Sequence, residues 1–218
     1  GAGKTTTIKM IAGLLTANAG LVEVCGHRMG TDGRAAKAQI AYLPDQPFLY
    51  DKLTGGEFLE FVGQMYGLPL EVIRKRSAAL IERLEMGRFL DQLTEGYSHG
   101  MKQRTALASA LLHEPRVLLL GYPVGGLDPR PVRVHEHPVG RRVREAGQTV
   151  FMSTHTLEVA EVVADRIGII HQGRLVALGT LAELRAQLRA QGSLEDIFLG
   201  LTAETQQGDQ SQAETIPV

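Results

Sequence analysis

The sequence predicts an α/β fold in which a parallel sheet carries an inserted all-helical block. Continuous apolar runs at 116–120, 149–152 and 166–170 are typical of strands covered on both faces. Helical patterns alternate with these strands, which favours parallel, right-handed connections. Residues 55–113 show helical patterns only. We therefore expect an α/β core of residues 1–54 and 114–185, and a helical subdomain of residues 55–113 inserted into it.

Before the inserted block, the chain predicts one helix and two short strands. Residues 5–15 place apolar side chains at helical spacing, so a helix follows the first glycines. Residues 20–26 form a β-prone run between glycines, and residues 40–43 form a second strand that ends at Pro44.

The block itself predicts three helices, and the last part of the chain predicts a fourth. The first begins near Thr54, the second follows Pro69, and the third opens at Ser98 and ends before Pro115. A further helix lies within residues 154–166, between two strands. Residues 186–218 are expected to form a C-terminal helix and a disordered polar tail.

Composition excludes several classes of protein. The 218 residues are 44% hydrophobic and 22% charged, as in soluble globular proteins. Lys and Arg (23) nearly balance Asp and Glu (24), so no global basic field indicates a nucleic-acid partner. The single Cys25 excludes a disulfide framework and a multi-cysteine zinc site. No apolar run approaches the ~20 residues of a membrane helix.

The chain opens on residues that are typical of a phosphate-binding loop. Its first six are Gly1, Ala2, Gly3, Lys4, Thr5 and Thr6, the second half of a G-x-x-x-x-G-K-[ST] pattern. In that pattern backbone N–H groups face phosphate oxygens, the lysine reaches the β/γ-phosphates, and the first hydroxyl ligates Mg²⁺. The alternative is a chance GKT at the junction between a loop and a helix.

Three later motifs follow, and two of them have both a structural and a functional interpretation. Residues 97–104 read YSHGMKQR and open a helix, so Ser98 is either a plain N-cap or part of a second anion-binding helix N-terminus. Residues 126–129 read GLDP and follow an apolar strand. His155 follows the strand at 149–152, at the sheet edge where α/β proteins bind ligands, although such a histidine alone is more often structural.

Taken in order, these landmarks resemble the ATP-binding subunit of ABC transporters. Those proteins carry a Walker A loop, a Q-loop, a signature, a Walker B strand, a D-loop and a switch histidine in the same sequence order. The resemblance covers about residues 1–185. It implies a P-loop NTPase core with an inserted helical ABC signature subdomain, and it implies ATP and Mg²⁺ as cofactors.

The resemblance assigns a role to each matching position. Lys4, Thr5 and Thr6 match the phosphate and magnesium contacts, with Thr5 as the metal ligand. Asp45 lies at the position of the Q-loop glutamine, with Gln46 beside it. The signature matches Tyr97, Ser98, His99, Gly100 and Met101; in the family it binds the γ-phosphate of ATP held by the opposite subunit, and His99 replaces its usual first glycine. Asp128 matches the D-loop aspartate, and His155 the switch histidine.

The chain departs from the family pattern after its Walker B strand. The family has Asp-Glu-Pro there, whereas this chain has Gly121, Tyr122 and a proline. Glycine offers no metal-supporting carboxylate, and a tyrosine with a reference pKa of about 10 is a poor base at neutral pH. Pro131 and Pro138 also interrupt the helix expected after the D-loop.

The resemblance implies an ATPase that drives a membrane permease from the inner face of the plasma membrane and pairs with a second ATPase subunit. It implies no nucleic-acid partner. A Leu-Tyr-x-x-Leu-Thr run at 49–54 favours export. The alternative is a catalytically impaired nucleotide-binding subunit or a decayed fragment. A soluble relative working on ribosomes or DNA is disfavoured by the near-neutral charge. The family also places a strand and an adenine-stacking aromatic upstream of the loop, so this chain alone is expected to bind nucleotide weakly.

Overall fold

The computed structural model describes residues 2–121, 147–187, 194–196 and 198. Its contacts divide the chain into two compact units. The larger unit comprises residues 5–153, and the smaller unit joins the first four residues to the chain from Thr154 onward. None of the described helices has both the length and the apolar character needed to cross a membrane.

In chain order the described elements are α1 (Lys4–Ile11), β1 (Glu23–Val24), β2 (His27–Arg28), α2 (Gly33–Ala38), β3 (Ile40–Leu43), α3 (Gly55–Met65), α4 (Leu70–Arg83), a 3₁₀ turn (Thr94–Gly96), α5 (His99–Leu111), β4 (Val117–Leu120), β5 (Thr149–Met152), α6 (Leu157–Val163), β6 (Ile167–His171), β7 (Arg174–Gly179) and α7 (Leu181–Gln187).

A three-stranded parallel sheet forms the centre of the larger unit. Its order is β3-β4-β5, and Leu43 pairs in register with Leu120, which pairs with Met152. The central strand β4 is the most buried of the three, as its continuous apolar run predicts. The α/β class with a parallel sheet is confirmed. All three strands therefore deliver their carboxyl ends to one edge.

The inserted block folds as three helices around its own hydrophobic cluster. α3 begins at a capping box: the Thr54 hydroxyl accepts from the Glu57 N–H at 3.2 Å, and the Glu57 carboxylate accepts from the Thr54 N–H at 2.8 Å. The largest fully buried side chains of the cluster are Leu59, Ile73, Met86, Leu107 and Leu112.

The chain before the block differs in detail from its prediction. α1 ends at Ile11 rather than near residue 15, and Leu14 and Leu15 are exposed. The predicted strand at 20–26 is a tight hairpin, β1-β2, that turns at Cys25 and Gly26, both with positive φ. α2 lies where no helix was predicted.

In the smaller unit, β6 pairs with β7 in an antiparallel hairpin. β7 was not predicted, because the apolar pattern of residues 174–179 is mixed and its half-exposed strand lacks a clear alternation. A hydrophobic cluster of Ala160, Ile167, Ile169, Leu184 and Leu194 holds α6 and α7 against the hairpin. The tail beyond residue 187 lies largely outside the described residues.

Candidate nucleotide-binding site

The loop before α1 has the backbone that a phosphate cradle requires. Gly3 has φ +101°, a conformation that residues with a Cβ rarely adopt. A Cβ there would also approach the Gly173 Cα at 3.3 Å, and the Gly173 N–H donates to the Ala2 carbonyl at 3.0 Å. α1 begins at the next residue, Lys4, and the N–H groups of its first turn form the positive end of the helix. These residues fit the phosphates of a nucleotide.

The first turn of α1 leaves its hydroxyl groups accessible. Thr5 and Thr6 are both exposed, and the first turn contains no acidic residue. A phosphate at this helix end therefore meets no like charge from the turn itself. Gly1, the first residue of the predicted loop, lies outside the described residues.

The second predicted phosphate site is the start of α5. Ser98 is the N-cap, and its hydroxyl accepts from the Met101 N–H at 3.3 Å. His99 is exposed, and a Cβ added to Gly100 would meet nothing within 4 Å among the described residues. The N-terminus of this 13-residue helix is therefore open to solvent. Capping by Ser98 and anion binding are compatible, because the cap satisfies only one of the free N–H groups.

Tyr97 precedes this cap and is buried, with 6% of its surface exposed. Its hydroxyl donates to the Phe89 carbonyl at 2.7 Å, and the two rings meet edge to face at 5.1 Å. Burial raises the pKa of the Tyr97 phenol, so the hydroxyl stays a neutral donor. Its side chain anchors the loop before α5, and its predicted place among the nucleotide contacts stays a prediction.

Three strand ends meet at the predicted catalytic edge of the larger unit. The Gly121 N–H donates to the Leu43 carbonyl at 2.8 Å, and the Ser153 N–H donates to the Leu120 carbonyl at 3.1 Å. Asp45 follows β3 and is exposed, as is Gln46. The edge that the topology predicts for ligand binding is therefore ordered by backbone hydrogen bonds.

Gly121 leaves this edge without the expected carboxylate. A Cβ at Gly121 would lie 3.2 Å from the Asp45 nitrogen and 3.4 Å from both the Leu43 oxygen and the Pro44 Cα. The end of β3 thus packs against the glycine backbone. In the described part of the chain no three His, Cys, Asp or Glu side chains gather into a metal site. At the position directly after β4, Gly121 therefore offers no carboxylate to support a Mg²⁺ ion.

His155 lies in the smaller unit, three residues after β5 ends, and it is exposed. The preceding Thr154 makes a turn in which its hydroxyl accepts from the Thr156 N–H at 2.9 Å, immediately before α6. The role of His155 as a switch histidine stays a prediction. Tyr122, Asp128, Pro131 and Pro138 lie outside the described residues.

An exposed aromatic surface lies beside the Q-loop position, and no sequence motif marks it as a site. It consists of Phe48 (78% exposed), Tyr50, Phe61, Met65 (71%) and Tyr66. The Tyr50 ring contacts the ring of Phe48 at 5.7 Å and that of Phe61 at 5.2 Å, edge to face in both cases. These side chains stay in solvent although they are strongly apolar, which is typical of a surface that a partner covers.

A pocket of about 180 Å³ adjoins this surface. Phe48 and Tyr66 line it from the aromatic side, and the end of β3 and the middle of α5 close it. The Tyr66 ring stacks on the His113 imidazole with centroids 3.7 Å apart. The His113 Nε2 bonds to the Ile40 carbonyl at 3.1 Å, whereas its buried Nδ1 finds no partner among the described residues. Burial, and secondarily the Arg76 charge, lower the pKa of His113.

Comparison with known proteins identifies the family of the chain. Residues 1–124 match the family model described as ABC transporter. The chain is 38% identical over 188 residues to the linearmycin resistance ATP-binding protein LnrL of Bacillus subtilis (strain 168), covering 86% of this chain and 60% of that protein. It is 37% identical over 205 residues to the ABC-type transporter ATP-binding protein EcsA of the same strain, covering 94% of this chain and 83% of that protein.

A solved structure confirms the similarity at the level of the fold. The structure of an ATP binding subunit of an ABC transporter superposes with a TM-score of 0.82 at 34% identity, and covers 92% of this chain and 84% of that one.

Proposed function

Since the chain belongs to the ABC transporter family, we propose that it is an ATP-binding subunit that supplies energy to a membrane transporter. The observation that carries the proposal is the glycine turn at Gly3, which runs directly into α1 with Lys4 as its first residue. This arrangement offers a lysine ammonium and a helix N-terminus to the same phosphate chain. The bound molecule is ATP.

Within this proposal the first residues hold the nucleotide. Backbone N–H groups of Ala2, Gly3 and Lys4 face the phosphates, Thr6 extends this contact, and Thr5 offers a hydroxyl to Mg²⁺. The ion neutralises phosphate charge when bound. Gly121 supplies no carboxylate to support this ion.

The signature serves a second ATPase subunit. The open N-terminus of α5, with Ser98, His99 and Gly100, faces nucleotide held by the opposite subunit. Asp128 acts as the D-loop aspartate, and His155 acts as the switch histidine. The helical residues 55–113 form the subdomain that presents it. The aromatic surface and its adjoining pocket dock the membrane permease, which places the chain on the inner face of the plasma membrane. The LnrL relative is a linearmycin resistance ATP-binding protein, which supports export as the direction of transport.

A specific observation favours a second candidate function. Gly121 leaves the end of β4 without a carboxylate, and backbone atoms of residues 43–45 lie 3.2–3.4 Å from the position that a Cβ would take there. In this candidate the chain binds nucleotide and completes the partner's site through its signature, but it does not hydrolyse the nucleotide that it holds. Loss of a general base costs about 10²- to 10⁴-fold in rate.

Titration with a fluorescent ATP analogue tests nucleotide binding. Lys4→Ala removes the ammonium from the phosphates and is expected to weaken binding by about tenfold or more, because a hydrogen bond to a charged group is worth about 1.5–3 kcal/mol. Lys9→Ala is the matched control: Lys9 is an exposed lysine in the last turn of the same helix. Equal affinities for the two variants would contradict the proposed site.

Phosphate release distinguishes the two candidates. If the chain is impaired, its wild-type rate stays at background, and Gly121→Asp with Tyr122→Glu raises it about 100-fold or more. The control is Gly121→Asn with Tyr122→Gln, which matches the shape of the acidic side chains but carries no charge. A wild-type rate well above background that the double acidic variant does not raise would exclude the impaired subunit.

A further inference from the structure

A tight turn lies beneath the exposed aromatic surface and closes on the Tyr50 carbonyl. That oxygen accepts from the Leu53 N–H at 2.9 Å and also from the Thr94 hydroxyl at 2.8 Å. The Tyr50 ring is 47% exposed and contacts Phe48 and Phe61. The backbone of one residue of the aromatic surface is therefore bonded to a residue far along the chain.

Thr94 is fully buried and bonds to the turn through both of its donors. Its hydroxyl reaches the Tyr50 carbonyl, and its N–H donates to the Leu53 carbonyl at 2.9 Å. The Thr94 carbonyl accepts from the Tyr97 N–H at 3.1 Å, and Tyr97 directly precedes Ser98, the cap of α5. A single buried side chain thus lies between the aromatic surface and the proposed signature.

Two further contacts between the two segments are longer or lie at the surface. The Glu95 N–H donates to the Asp51 carbonyl at 3.3 Å, and the Lys52 ammonium pairs with the Glu95 carboxylate at 2.6 Å while the lysine is largely in solvent. An exposed ion pair of this kind contributes little. The bond from the Thr94 hydroxyl is partly buried and therefore stronger than an exposed one, and the Tyr50 carbonyl keeps its bond from the Leu53 N–H when that hydroxyl is removed. The Thr94 hydroxyl therefore supplies a buried side-chain bond to this link, beside the backbone bond from the Thr94 N–H.

We propose that Thr94 is a positioning residue that ties the turn beneath the aromatic surface to the start of α5. A permease segment that packs on the Tyr50 ring thereby sets the position of Ser98 and of the α5 N-terminus. This inference rests on the proposed function of the signature and goes beyond it, because it names the residue through which docking reaches that site.

Hydrogen exchange in the full chain tests the link without any partner. Thr94→Val keeps the shape of the side chain and removes the hydroxyl, so amide exchange over residues 93–101 is expected to accelerate about tenfold or more, with α3 within about twofold of wild type. Thr94→Ser keeps the hydroxyl and is expected to restore slow exchange. Ser77→Ala is the control, since the buried Ser77 hydroxyl has no partner in the described part of the chain.

Unchanged exchange at 93–101 in Thr94→Val, or equal acceleration throughout α3, would overturn the proposal. The first result would mean that the hydroxyl does not hold the segment. The second would mean that it stabilises the whole unit and not this link.

ATPase kinetics of the assembled transporter, purified through a tag on this chain, test the functional consequence. Thr94→Val is expected to lower kcat at least about fivefold with KM within about twofold, because the signature acts on nucleotide already held by the other subunit. Thr94→Ser is expected to recover kcat. Ser98→Ala separates the two proposals: if it leaves kcat unchanged, the proposed role of the signature fails. If Ser98→Ala lowers kcat and Thr94→Val does not, the positioning role fails alone.

Discussion

Gly55 is the position where a single methyl group tests the anchor of the signature most directly. It is the first residue of α3, and a Cβ there would overlap the Tyr97 phenol oxygen and lie 3.2 Å from the Leu90 carbonyl. Gly55→Ala must therefore displace the buried phenol or break its bond to Phe89. Overpacking of this kind costs about 1–3 kcal/mol, and the lost hydrogen bond adds about 1 kcal/mol.

Alanine also gains up to about 1 kcal/mol of helix propensity over glycine, so the net loss is expected to be about 2 kcal/mol. Urea unfolding followed by circular dichroism at 222 nm measures it as a lower midpoint at unchanged m-value. In a Tyr97→Phe background the oxygen is absent, and Gly55→Ala is expected to cost less than about 1 kcal/mol, a coupling of at least about 1 kcal/mol.

Gly56→Ala is the matched control. A Cβ there meets only the Leu90 side chain, at 3.7 Å and 4.0 Å, which is ordinary contact. This variant is expected to be neutral or slightly stabilising. Equal costs for the alanines at 55 and 56, or an equal cost of Gly55→Ala with and without the tyrosine hydroxyl, would refute the reasoning.

Two further predictions concern the helical block. Gly63→Ala is expected to lower the free energy of unfolding by about 1–3 kcal/mol, because the added Cβ would lie 2.6 Å from the Ile73 Cγ1. An unchanged urea midpoint would contradict this close approach of α3 to α4. Burial lowers the pKa of His113, so its unfolded form takes up a proton first as pH falls below about 6.5. The contribution of neutral His113 to stability is therefore fully present above that pH and decreases below it. His113→Gln is expected to reduce the difference between the urea midpoints measured at pH 8 and pH 5.

The helices of the block could be predicted because their signals are local. Thr54 and Ser98 cap α3 and α5 where expected, and the apolar spacing between them places the buried faces. The short hairpin at residues 23–28 was predicted as one strand, because a turn at Cys25 with φ 53° has no strong sequence signal. Local pattern thus predicts long elements better than tight turns.

The candidate site was predictable in its motifs but not in its supports. Lys4 and Ser98 belong to recognisable patterns, and both begin helices as expected. The bond from Thr94 to Tyr50 joins residues 44 apart, and the crowding of Gly121 by the end of β3 depends on sheet order. Contacts of this kind are set by tertiary structure, so no local pattern predicts them.

The aromatic surface has a consequence for the chain before it meets any partner. Phe48 and Met65 present 78% and 71% of their area to water, and three further exposed aromatic rings belong to the same surface. Apolar patches of this kind promote self-association of free subunits. When the chain is synthesised in excess over its docking partner, we therefore expect it to aggregate or to be degraded. The cellular level of the chain is then expected to follow the level of its partner.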